Sequence, residues 1–95
     1  MTEFKVKKLP DSYVKLYGYS SWDDARQSNW NNVFVNTSDW DVYQTEDPGE
    51  MWDIIEKNYG EENLMIMPLR SVPGVSRYEM MGSNAQEYLV EARTL

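Results

Sequence analysis

One stretch of this chain is punctuated as a helix at both ends. Asp47-Pro48 opens it, Gly60 closes it, and between them Met51, Ile55 and Tyr59 recur every four residues, on one face. Asp53 and Lys57 add a favourable i,i+4 pair. A helix of this length depends on packing its apolar face against something else. The remaining segments are short and mostly strand-like. EFKVKK, residues 3–8, alternates Phe4 and Val6 with Lys5 and Lys7, the period of a half-buried strand. NVFVNT (32–37) and Asp41 to Thr45 are further strand candidates, and Leu64 to Leu69 is a strong one. Val75 to Met81 and Tyr88 to Thr94 flank Gly82-Ser83-Asn84, which predicts a closing hairpin. A helix from Asn84, capped by Ser83 with Gln86, is the rival reading there.

Two segments before residue 30 have helical signals. Ser21 with Asp24 can cap a short helix over Trp22 to Gln27. In LPDSYVKLYG (9–18), Pro10 and Asp11 suit a helix start and Gly18 suits a left-handed stop. Tyr13, Leu16 and Tyr17 share a face at helical spacing, yet a strand through Tyr13, Tyr17 and Tyr19 fits the same residues. Helix and strand both stay open. The expected architecture is α+β: an antiparallel sheet of about five strands with two or three short helices packed on it. Residues 1–95 form a single domain, long enough to bury roughly 60–65 % of its unfolded surface. Trp-Asp occurs at 22–23, 40–41 and 52–53, but with different flanks and spacings, so it is no repeat.

Composition narrows the chemistry. The chain has neither cysteine nor histidine, which removes thiol nucleophiles, thiolate metal sites and the commonest general base and metal ligand. No glycine pattern cradles a phosphate. Asp39, Asp41, Glu46 and Asp47 are oxygen donors close in sequence, but the twelve-residue calcium loop with its central Gly and final Glu is absent, so they read as solvated turn residues. The expectation is a protein that is not an enzyme, with no catalytic residues, no cofactor and no metal. Its longest apolar run, Leu64 to Met67, is far short of the ~20 residues of a membrane span. MTEFKVKKLPD carries charges where a signal peptide has its apolar core, so a cytoplasmic protein is expected.

Charge is unevenly placed. Residues 1–20 hold four lysines against Glu3 and Asp11; Ser21 to Glu62 hold eleven acids against Arg26 and Lys57; the remainder is balanced. The formal net charge is −7. Such a field repels nucleic acid and attracts basic surfaces, which argues against direct nucleic-acid binding and for a partner that itself binds nucleic acid. A solvated face that merely maintains solubility is the plain alternative.

Several pieces, taken in order, resemble the phage and staphylococcal inhibitors of uracil-DNA glycosylase. Glu3 opens a strand followed by LPDSYVKLYG, where the family has an edge strand, a Leu-Pro-acid start and a short helix. LPDSYVKL (9–16) is similar to the staphylococcal form, and NVFVNTSDWD (32–41) to the family's next strand and acidic turn. LMIMPL (64–69) is similar to a further strand, and SVPGVSRYEMMGSNAQEYLVEARTL (71–95) to the phage inhibitor's last hairpin. The pieces cover well over half of the chain, and their order carries the resemblance.

The resemblance implies DNA mimicry in a bacterial host cell: a 1:1 complex with a uracil-DNA glycosylase, carboxylates in place of phosphates, and an apolar pocket around the enzyme's minor-groove leucine. By position, Glu3 and Asp11 match acids of the family, and Asp23 and Asp24 are further phosphate mimics. Tyr13, Leu16, Tyr17, Met65 and Met67 match the apolar pocket. The sequence also departs from the family. Two acidic helix positions of the phage inhibitor fall on Ser12 and Lys15, although the staphylococcal form is also basic at the latter. Lys5, Lys7 and Lys8 place positive charge on the groove-facing strand, where they would point outward from a sheet edge. The helix from Pro48 to Tyr59 has no counterpart in the phage form. The alternative partner class is another nucleic-acid-binding enzyme, blocked as by anti-restriction, anti-CRISPR or nuclease immunity proteins.

Overall fold

Residues 1–9, 17–59, 65–70, 72–81 and 86–94 are described by the structure, a computed structural model. Five strands form one antiparallel sheet: β1 (Thr2–Leu9), β2 (Asp41–Thr45), β3 (Met65–Pro68), β4 (Val75–Met81) and β5 (Glu87–Thr94). Three helices complete the α+β fold: α1 (Trp22–Gln27), α2 (Asn31–Asn36) and α3 (Pro48–Tyr59). The strand order is β2-β1-β5-β4-β3, so the first strand lies beside the last, in register from Thr2↔Thr94 to Leu9↔Glu87.

Directly opposed residues share a face, and the alternation in β1 divides the molecule into two cores. Phe4 and Val6 join Met80, Val90 and Ala92 beneath Met51 and Ile55 of α3. Aromatic side chains ring this core: Tyr43 stacks on Phe4 at 5.2 Å, Trp52 meets Tyr78 edge-on at 5.0 Å, and Tyr59 meets Tyr88 at 5.1 Å. The predicted helix is therefore present over the expected residues, with the expected face inward. On the opposite face Leu9 and Leu89 are covered by Tyr19, Ala25, Trp30, Val33 and Phe34. The hairpin of β4 and β5 is also as expected, paired from Val75↔Arg93 to Met81↔Glu87.

Helix α1 starts as its sequence predicts. The Asp24 amide donates to Ser21 Oγ (3.1 Å), and the Asp24 carboxylate in turn accepts from the Ser20 amide (3.0 Å). Gly18 has φ 81°, the left-handed conformation anticipated for it. The rest of the 10–17 question, helix or strand, falls on residues 10–16, which lie outside the described residues, as does the Gly-Ser-Asn turn.

Two expectations are corrected. Residues 32–37 are not a strand: Asn31–Asn36 form α2. Val33 and Phe34, adjacent in sequence, are both buried while Val35 is 64 % exposed, a pattern that strand alternation cannot produce. The helix is nucleated by Trp30, whose carbonyl accepts from the amides of Val33 (3.0 Å) and Phe34 (3.1 Å). Asn29 and Trp30 both sit at positive φ (55° and 53°), a conformation costing on the order of 1–3 kcal/mol per residue. Complete burial of the Trp30 ring, against the edges of Tyr19 and Trp22, holds it there.

The second correction concerns β1, which is not an edge strand. Thr2 to Val6 pair with β2 on one side and with β5 on the other. Lys5 and Lys7 therefore do not line an outer rim, whereas Lys8 is exposed. Lys7 is 3 % exposed and donates to the Asp39 carbonyl at 3.1 Å, and Lys5 reaches Glu91 at 3.4 Å. Both ammonium groups lie over the Trp40 ring, at 5.7 and 5.0 Å.

The core assignment predicts a contrast between two apolar positions. Ile55→Ala, at a fully buried site, should lower the unfolding free energy by about 2–5 kcal/mol. Val35→Ala, on the outer side of α2, should change it by no more than about 0.5 kcal/mol, both measured by urea denaturation.

Candidate functional site

The sheet register places complementary charges opposite one another on the α1–α2 face. Glu3 faces Arg93, which donates to it through Nη2 at 2.7 Å and Nε at 3.1 Å. Glu91 lies between Lys5 on β1 and Arg77 on β4, bound at 3.4 and 3.1 Å. Arg26, from α1, reaches down to Glu79 at 2.9 Å and Glu87 at 3.3 Å, and Trp30 Nε1 donates to the second Glu79 oxygen at 3.4 Å. Glu79 is only 4 % exposed, and two donors, Arg26 and Trp30, hold its carboxylate. Its hydrogen bond raises the Arg26 pKa above the usual guanidinium range. The Glu3 pKa is lowered, first by the Arg93 hydrogen bond and then by Gln44.

This network neutralises Lys5, Arg26, Arg77 and Arg93 within the fold. The carboxylates of Asp23, Asp24, Asp39, Asp41, Glu46, Asp47, Glu50, Asp53 and Glu56 belong to exposed residues. Most of them cluster at the β2 edge and on α3. The opposite edge differs. In β3 all four residues, Met65 to Pro68, are exposed, and none is charged. The two edges are four strand spacings apart, about 19 Å. Edge strands are usually guarded by charge, and β2 is; β3 is not.

Beside β3 a cleft of about 190 Å³ opens, with Met65, Met67 and Met81 among its walls and Arg26, Glu79 and Glu87 around them. Met65 and Met67 were expected from sequence, and the structure brings them together here. Met81 and Arg26 were not expected. The hairpin register could have indicated Met81, since β3 pairs Met65 with it directly. Arg26 arrives only through the tertiary placement of α1. A larger cavity, about 550 Å³, lies on the α3 side between Met51, Trp52 and Tyr78, and contains none of the predicted site residues.

The other predicted residues are dispersed. Asp23 is exposed and 3.8 Å from Arg26; Asp24, beside it, donates its amide to the capping Ser21 and accepts from the Ser20 amide. Glu3 lies four residues along and three strands across from Met67, on the order of 20 Å away. Tyr17 is half-buried against the Leu9–Trp30 core, and its carbonyl accepts from Asn32 at 3.4 Å. Asp11, Tyr13 and Leu16 lie outside the described residues. Among the described residues no group of three or more Asp or Glu is arranged to hold a metal, and no helix is long and apolar enough to cross a membrane. No family model matches the chain, and no curated protein or solved structure is significantly similar to it.

Two outcomes follow for the ion pairs. Arg26→Ala leaves the Glu79 charge buried with one donor, and should cost about 2–4 kcal/mol in urea denaturation, less than a fully buried pair because Arg26 is partly exposed. The lowered Glu3 pKa contributes stability above the ordinary carboxylate range, lost as pH falls through the depressed folded value. Urea midpoints of Glu3→Gln should therefore fall below wild type at neutral pH and converge with it as pH falls through the depressed folded value of Glu3.

Proposed function

We propose that this domain is a protein inhibitor of a uracil-DNA glycosylase that acts by DNA mimicry. The methionine cleft would receive the enzyme's minor-groove leucine, and neighbouring carboxylates would meet its basic DNA groove. The observation that carries this reading is the cleft itself: exposed Met65 and Met67 on an uncharged sheet edge, with Arg26 in the cleft wall and Asp23 3.8 Å from Arg26. Thioethers adapt to an inserted side chain, and burying a leucine is worth about 1.5–3 kcal/mol. Exposed carboxylates facing fixed basic groups accelerate association and set register. The ion pairs engage four of the nine basic side chains, and with sixteen acids in the chain the field outside is acidic. Asp23 and Asp24, with Asp11, are the phosphate mimics in this reading; Glu3 enters it by neutralising Arg93.

One observation favours a second reading. Among the described residues, seven of the nine exposed acids, Asp39 to Glu56, lie at the β2 edge and on α3, away from the cleft. A blocker of another basic nucleic-acid-binding enzyme would use that edge and leave the methionines idle.

Uracil excision from an oligonucleotide, titrated with the protein over a panel of bacterial glycosylases, separates the two. Inhibition at equimolar protein is expected for at least one enzyme. Met65→Asp with Met67→Asp should weaken it by about tenfold or more without lowering the melting temperature, since both side chains are exposed. No inhibition at stoichiometric excess across the panel removes the first reading. Inhibition that the double variant retains removes the cleft from it.

A further inference from the structure

The six methionines of the chain fall into distinct groups. Met51 and Met80 are core residues, 5 % and 1 % exposed, and Met1 is the first residue. The other three converge. Met65 and Met67 are two residues apart on β3 and share a face; Met81 stands directly opposite Met65 on β4 and shares it too. All three line the same cleft, to whose wall the buried Met80, on the other face of β4, also contributes. Opposed β-carbons are about 4.5–5.5 Å apart and diagonal ones about 7–8 Å or somewhat less. Unbranched side chains with three rotatable bonds can close that triangle around a single small ion.

We infer that this cleft is a binding site for a soft monovalent cation, Cu(I) or Ag(I), ligated by the thioethers of Met65, Met67 and Met81. Thioether sulfur selects Cu(I) over hard divalent ions. The three sulfurs are neutral ligands, so a monocation places a single charge beside the Arg26, Glu79 and Glu87 cluster. The Glu79 carboxylate is already committed, since its two oxygens accept from Arg26 and Trp30. With no cysteine or histidine in the chain, the thioethers are its only soft ligands, so background binding of these ions is low. The inference does not depend on the inhibitor reading. It concerns an ion rather than a protein, and an inactive inhibitor could still bind it.

The full-length chain is dialysed anaerobically against Cu(I) held in acetonitrile-containing buffer, and bound copper is measured by atomic absorption. Wild-type protein should retain a single equivalent. Met65→Leu, Met67→Leu and Met81→Leu together should weaken retention by about tenfold or more, with the volume-conserving leucines preserving the fold. In parallel, Ag(I) is titrated into wild-type protein labelled at its methionine methyl groups. The resonances of Met65, Met67 and Met81 should shift together and saturate at one equivalent, while that of Met51, in the α3 core, stays in place. The Ag(I) titration decides the matter even if the triple variant fails to fold. Absence of retained copper, equal retention by a folded triple variant, or Ag(I) shifts confined to Met1 would each overturn the inference.

Discussion

The pairing of the first strand with the last organises everything else in this molecule. β1 and β5 are matched over eight residues each, and that register sets two faces at once. It brings Phe4 and Val6 beside Ala92 and Val90, under α3, and it brings Glu3 beside Arg93 and Lys5 beside Glu91 on the other side. A slip of one residue would exchange the faces, pushing charges under the α3 core and apolar side chains into the ion-pair rows. Opposed charges favour the observed register, and like-charged or apolar partners disfavour the alternatives. Closing the intervening chain costs only logarithmically more than closing a short loop, so the long separation is affordable.

The same register explains why the surface is more one-sided than composition suggests. A net charge of −7 could arise from mixed charges everywhere. Here Lys5, Arg26, Arg77 and Arg93 are drawn into pairs with acids of the sheet, and the acids from Asp39 to Glu56 are left outside. The two free sides of the sheet differ accordingly: carboxylates gather near β2, and methionines occupy β3. An acidic field steers a basic partner, while an uncharged, polarisable edge supplies contact.

Much of this was legible in the residues. The α3 helix has a start signal, a four-residue apolar recurrence and a stop, and local energetics agree with its tertiary role. The closing hairpin and the Ser21 cap are local in the same sense. Residues 32–37 were misleading, since Val-Phe-Val has strong strand propensity, which reflects fit to a half-buried pleated surface. What they found instead was the hollow beside Trp30, where two neighbouring side chains are buried together. The resemblance of 32–41 to a strand and acidic turn is corrected for the same reason. The candidate site divides likewise. Met65 and Met67 stand out as soft apolar residues in a strand, whereas Arg26 and Met81 become their neighbours only when α1 docks and β4 folds back.

The chain's own order of residues determined which segments are amphipathic, where α1 and α3 begin, and that no cysteine or histidine chemistry is possible. Those outcomes depend on interactions within a few residues and on composition. Only tertiary structure decided that β1 lies inside the sheet, that Lys5 and Lys7 are sequestered, and that three methionines meet at one edge. Each of those depends on which distant strand lies alongside, a choice made by the summed burial and charge matching of the entire sheet, invisible to any local window.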